Sequence, residues 1–108
     1  MEIFQTALGR FVPAHEAQTI LEDAILDFLF RFRMNLQNPN NVPLPVSVIS
    51  RAVSSDPGLA LAALDALKES VPPLVEEGTV HQGERTFRVS GTGVRFVRNM
   101  PQGMDSLP

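Results

Sequence analysis

The chain has 108 residues, 44% hydrophobic and 19% charged, with a formal net charge of −3 and no cysteine, tryptophan or tyrosine. That length suits one domain around one core, and the missing cysteines exclude disulfide scaffolds, thiolate zinc sites and thiol nucleophiles. No apolar run reaches the ~18 to 20 residues of a membrane helix, and the start MEIFQTALGR lacks the basic and apolar regions of a signal peptide; the expectation is a cytoplasmic protein with no membrane partner.

The first dozen residues carry Phe4, Leu8, Phe11 and Val12 between polar positions, an apolar arm of strand or partial helix. Pro13 then suits the first turn of a helix. From Ala14 to about Gln37 there is no Gly or Pro, and Ala17, Ile20, Leu21, Ala24, Ile25, Phe28, Leu29 and Phe32 recur at spacings of three and four. This is one wide helical stripe. It is broader than one helix of a small domain needs, with Phe30 on its flank. Leu21, Ile25, Phe28 and Phe32 are therefore candidates for a homodimer interface.

NPNNVPLP, residues 38–45, is turn chemistry. VSVISRAV follows, with Val46, Ile49 and Val53 at helical spacing. In SSDPG, Ser55 or Asp56 can cap a helix that starts at Pro57 and buries Leu61, Leu64, Leu67 and Val71 before Pro72 and Pro73 close it. Its outward positions are Gly58, Leu59, Ala62, Ala63, Asp65, Ala66 and Glu69. Next, Gly78 breaks the turn, Thr79 to His81 is extended, and Gln82-Gly83 suits a tight turn. ERTFRV alternates, with Phe87 and Val89 on one face and Thr86 and Arg88 on the other. VRFVRNM fits a short helix or a third strand, and PQGMDSLP reads as a frayed tail.

Mainly α with a small β-hairpin is the expected class. Leu64-Asp65-Ala66-Leu67, Leu74-Val75-Glu76-Glu77-Gly78-Thr79-Val80 and Arg85 through Gly93 carry a more specific likeness. Over residues 44–97 the chain resembles the MarR-type and PadR-type members of the winged helix-turn-helix superfamily, with Ser90 where that group usually has Thr and Gly93 at its later Gly. The resemblance implies a single winged-helix domain over 1–108, with an arm and long helix at 1–37 and a helix-turn-helix plus wing at 44–99. It also implies a dimeric transcriptional regulator binding double-stranded DNA.

Charge complicates that implication. Residues 80–108 hold Arg85, Arg88, Arg95 and Arg98 against Glu84 and Asp105, whereas residues 1–79 hold twice as many acids as bases. The helix at 57–69, which such domains lay in the major groove, offers two carboxylates and no strong donor on its outward side. The candidates for DNA contact are thus Arg51, Arg85, Arg88 and Arg95. An assembly module that meets a protein partner through the Ala/Leu-rich helix is the alternative. His15 and His81 lie on different elements, HEAQT lacks a second zinc-ligand histidine, and GTG at 91–93 has no Lys-Ser/Thr behind it. A non-enzymatic protein without a cofactor is expected.

Overall fold

The computed structural model describes residues 3–5, 11–35 and 40–99, with side chains from residue 18 onward. In chain order these form β1 (Ile3–Gln5), β2 (Phe11–Pro13), α1 (Ala14–Met34), β3 (Leu44–Pro45), α2 (Val46–Ala52), α3 (Pro57–Glu69), β4 (Val75–Glu77), β5 (Thr86–Val89) and α4 (Gly91–Arg98). The described fold is mixed α/β: four helices, the β1–β2 hairpin, and a three-stranded antiparallel sheet of order β3-β5-β4. The tail from residue 100 lies outside the described residues.

The apolar arm is a hairpin, with Phe4 opposite Val12. Pro13 ends β2 instead of opening α1. The helix turns Ile25, Leu26 and Leu29 fully inward, with Leu21, Phe28 and Phe30 partly buried beside them. Two of the expected stripe positions, Ile20 and Ala24, face outward instead. The apolar set of α1 is wider than the surface it covers, so periodicity alone does not centre the buried arc.

Prolines obscured β3. Leu44 and Pro45, within the expected turn, pair antiparallel with Phe87 and Thr86. Proline cannot donate to a ladder, and β3 tolerates it because it is a two-residue edge strand. The α2–α3 junction follows its local chemistry: Asp56 Oδ2 accepts from the backbone N–H groups of Gly58 and Leu59 at 2.9 and 3.2 Å, and Pro57 occupies the first turn. On α3, Ala60, Ala63, Leu64 and Leu67 are buried, while Leu61 is only half-buried. Val71 was expected inside but is 97% exposed, because the backbone turns extended at Ser70, before Pro72 and Pro73.

The hairpin's first strand is Val75–Glu77, ahead of Gly78, not Thr79 to His81. Val75 is fully buried opposite Val89, and this contact sets the register. His81 and Glu84 bridge at the tip, with Gln82 and Gly83 both at positive φ (52° and 80°), the twist-matched turn that Gln82-Gly83 suggested. Thr86 is not on the solvent face: it is buried, and its hydroxyl donates to the Thr79 carbonyl at 2.7 Å. Of VRFVRNM, Val94 to Arg98 are helix, because Ser90 caps α4 by accepting from Gly93 N–H at 2.9 Å while donating to the Pro73 carbonyl at 2.7 Å; Met100 lies outside the described residues.

Candidate interaction surface

Three of the four expected DNA contacts, Arg51, Arg85 and Arg88, belong to the surface formed by α2, α3 and the β4–β5 hairpin, and Arg95 stands on α4. Arg85 is the most constrained of them. It stands half-buried just before β5, with its guanidinium 5.2 Å from the Phe87 ring centroid. Nε and Nη2 donate to Glu77 at 2.7 and 3.0 Å, and Nη2 and Nη1 donate to Asp65 at 2.7 and 3.2 Å. Lys68 Nζ reaches the same Glu77 at 2.7 Å. Two carboxylates and two cations thus tie α3 to the hairpin, with Arg85 forked between the acids in the planar geometry a guanidinium favours. Arg88 pairs with Glu76 on the neighbouring strand at 3.2 Å.

The hairpin tip is also tied down. α2 begins after Pro45, which supplies no side-chain cap. The cap comes instead from the hairpin: Glu84 accepts from Ser47 N–H through one oxygen and from the Ser47 hydroxyl through the other, both at 2.9 Å. The backbone N–H of Ser47 and then its hydroxyl hold the Glu84 carboxyl below the usual range. Val46 N–H donates to the Arg85 carbonyl at 3.1 Å, completing the attachment. Beside it, Val42 to Pro45, Thr79, His81 and Thr86 line an open groove of about 370 Å³.

Of the four arginines expected at DNA, Arg85 and Arg88 are therefore occupied by acids of the same chain. Arg51 is exposed at the end of α2, and Arg95 is exposed on α4 with Thr92 as its hydrogen-bond partner at 3.3 Å. Neither has an ion pair among the described residues. On α3, Gly58, Leu59, Ala62 and Glu69 face solvent, and Asp65 and Ala66 are half-buried. Ala63 is corrected: it is fully buried, one turn from both Ala60 and Leu67. Among the dimer candidates, Ile25 is sealed inside its own chain, while Leu21 and Phe28 pack partly on the core. Phe32 is half-buried, with its ring 6.1 Å from that of Phe28.

The Asp65–Arg85–Glu77–Lys68 network and the Glu84 cap were missed from sequence. Only the three-residue spacing of Asp65 and Lys68 on one helix hinted at either. No group of metal-ligating side chains, and no helix long and apolar enough to cross a membrane, occurs among the described residues. His81 is exposed at the hairpin tip, and the side chain of His15 lies outside the described residues. No family model, curated protein or solved structure matches the chain.

The network makes stability depend on pH. Hydrogen bonds from Arg85, and then from Lys68, hold the Glu77 carboxyl at about 2, against an ordinary value of 4.5. A depressed carboxyl stabilises the fold above its ordinary value, and that contribution is lost as pH falls from about 4.5 towards 2. Arg85→Gln is expected to cost about 1 to 2 kcal/mol at pH 7 and to flatten the decline in that acid window. Urea unfolding of both proteins at pH 7, 4 and 3 checks it; parallel pH profiles would show that the network carries no such linkage.

Proposed function

We propose that the chain is a winged-helix domain adapted to bind protein through its helix-turn-helix face. The order helix, strand, helix, helix, strand, strand, helix, with the short β3 beside β5 at the sheet edge, supports the winged-helix reading. One observation carries the functional reading: the arginines of the wing are neutralised by carboxylates of the same chain. A groove-reading surface needs free cations to displace counterions from phosphate. Here α3 presents Leu59 and Ala62 with Glu69 beyond them, small and apolar side chains that allow a partner helix to approach closely.

Placing a photocrosslinking residue at Ala62 in cells tests this reading. The expected result is a discrete protein adduct that Leu59→Glu removes. An Ala62 probe that yields no adduct, or one indifferent to Leu59→Glu, would overturn it.

A second reading, a dimeric DNA-binding regulator, is favoured by one side chain. Arg51 is exposed on α2, on the side where such domains meet a phosphate backbone. Binding to duplex DNA that falls steeply with salt and is weakened by Arg51→Ala would support it.

A further inference from the structure

The outward face of α1 repeats at coiled-coil spacing. Ile20, Ala24, Asp27, Arg31 and Met34 follow one another at intervals of four, three, four and three, and all are exposed, Ile20 at 48% and Met34 at 46%. This seam lies opposite the buried residues Ile25, Leu26 and Leu29. Half-buried Phe28 and Phe30 border it, one on each side. At its centre Arg31 Nε donates to Asp27 at 3.0 Å, one turn back, with both side chains largely in solvent.

We infer that a second copy of the chain packs on this seam, antiparallel to the first, to form a symmetric dimer. The pattern is self-complementary in one register. Placing Asp27 opposite Arg31 of the second copy also places Arg31 opposite the other Asp27 and Ala24 opposite Met34. Each small or acidic position thus meets a large or basic one, twice over, as an isologous interface requires. A parallel pairing would instead set Asp27 against Asp27 and Arg31 against Arg31, so charge selects the antiparallel form. The outward seam replaces the face centred on Ile25, which its own core already uses. The helix is about 31 Å long, so the contact falls at the small end of specific interfaces and the dimer is weak, dissociating in the micromolar range or above.

The test uses the charge pair in the full chain. Asp27→Lys leaves only cations at the centre and Arg31→Glu only anions; both positions are exposed, so thermal melts should show both variants folded. Sedimentation equilibrium at concentrations on the order of 100 µM is expected to give a dimer for the parent chain, a monomer for each variant, and a restored dimer when the two variants are mixed in equal amounts. The inference is overturned if the parent chain stays monomeric at that concentration, if either variant alone still dimerises, or if mixing restores nothing.

Discussion

Ala63→Glu is expected to abolish cooperative unfolding, while Ala62→Glu, one residue away, leaves the thermal melt close to that of the parent chain. Ala63 has no exposed surface and lies among Ala60, Leu64 and Leu67 on the inward face of α3. A carboxylate there has neither water nor a described partner, and burying it costs more than about 4 kcal/mol, a large part of the stability of a domain this size. Ala62 is turned about 100° around the helix axis into solvent. Circular dichroism melts of the two variants separate the faces directly. Equal melts would mean that α3 is rotated from the orientation described, and the proposed protein-binding face would have to be redrawn.

Two glycines in Ser90-Gly91-Thr92-Gly93 are expected to respond in opposite directions to alanine. At Gly93 an added Cβ would run into the carbonyl oxygen of Leu74 and lie 2.7 Å from Val89 Cγ2. The obstacle is backbone already engaged: the Leu74 carbonyl accepts from Ser90 N–H at 3.1 Å. Neither α4 nor the 73–75 segment can retreat without breaking that bond or the Ser90 cap, so Gly93→Ala should cost about 3 kcal/mol. Gly91, also in the first turn of α4, has nothing within 4 Å of an added Cβ. Replacing it with Ala should gain about 0.5 kcal/mol by restricting the unfolded chain. Urea midpoints of the two variants check both signs, and equal midpoints would contradict the close approach of α4 to Leu74.

Those glycines illustrate what the sequence could reveal. Ser90 and Gly93 stood out as a motif, yet its physical content is a helix cap joined to a backbone contact with Leu74, and Leu74 is not implied by any local pattern. Features governed by neighbours a few residues apart were legible: the Asp56 cap, Pro57 in the first turn, the α2 and α3 spans and the Gln82-Gly83 turn. Features that depend on register between distant segments were not. β3 lay hidden in a proline-rich run because its partner is more than 40 residues downstream. β4 was misplaced because Val75 is selected by its pairing with Val89, not by alternation around it.

The same limit governs the candidate site. Counting charges identified the 80–108 segment as the basic end, and that count cannot show how the charges are used. Arg85 and Arg88 answer Asp65, Glu77 and Glu76 only once the hairpin folds against α3 and its strands pair. Glu84 likewise becomes a cap for α2 only when the tip meets Ser47. In α1 the excess of apolar positions was legible. The centre of the inward arc was not, because apolar positions such as Ile20 and Ala24 extend beyond the buried set of Ile25, Leu26 and Leu29.

The arginines of the β4–β5 hairpin, Arg85 and Arg88, are spent on carboxylates of their own chain, which leaves Arg51, among the described residues, as the unpaired cation beside them. Fluorescence anisotropy with random-sequence duplex DNA, measured at low and at physiological salt for the parent chain and for the Arg51→Ala and Arg88→Ala variants, tests it most directly. The expected result is no binding that depends on those two arginines at either salt concentration. Tight binding at low salt that falls steeply as salt rises, and that either substitution weakens, would contradict this and return the surface to a phosphate backbone.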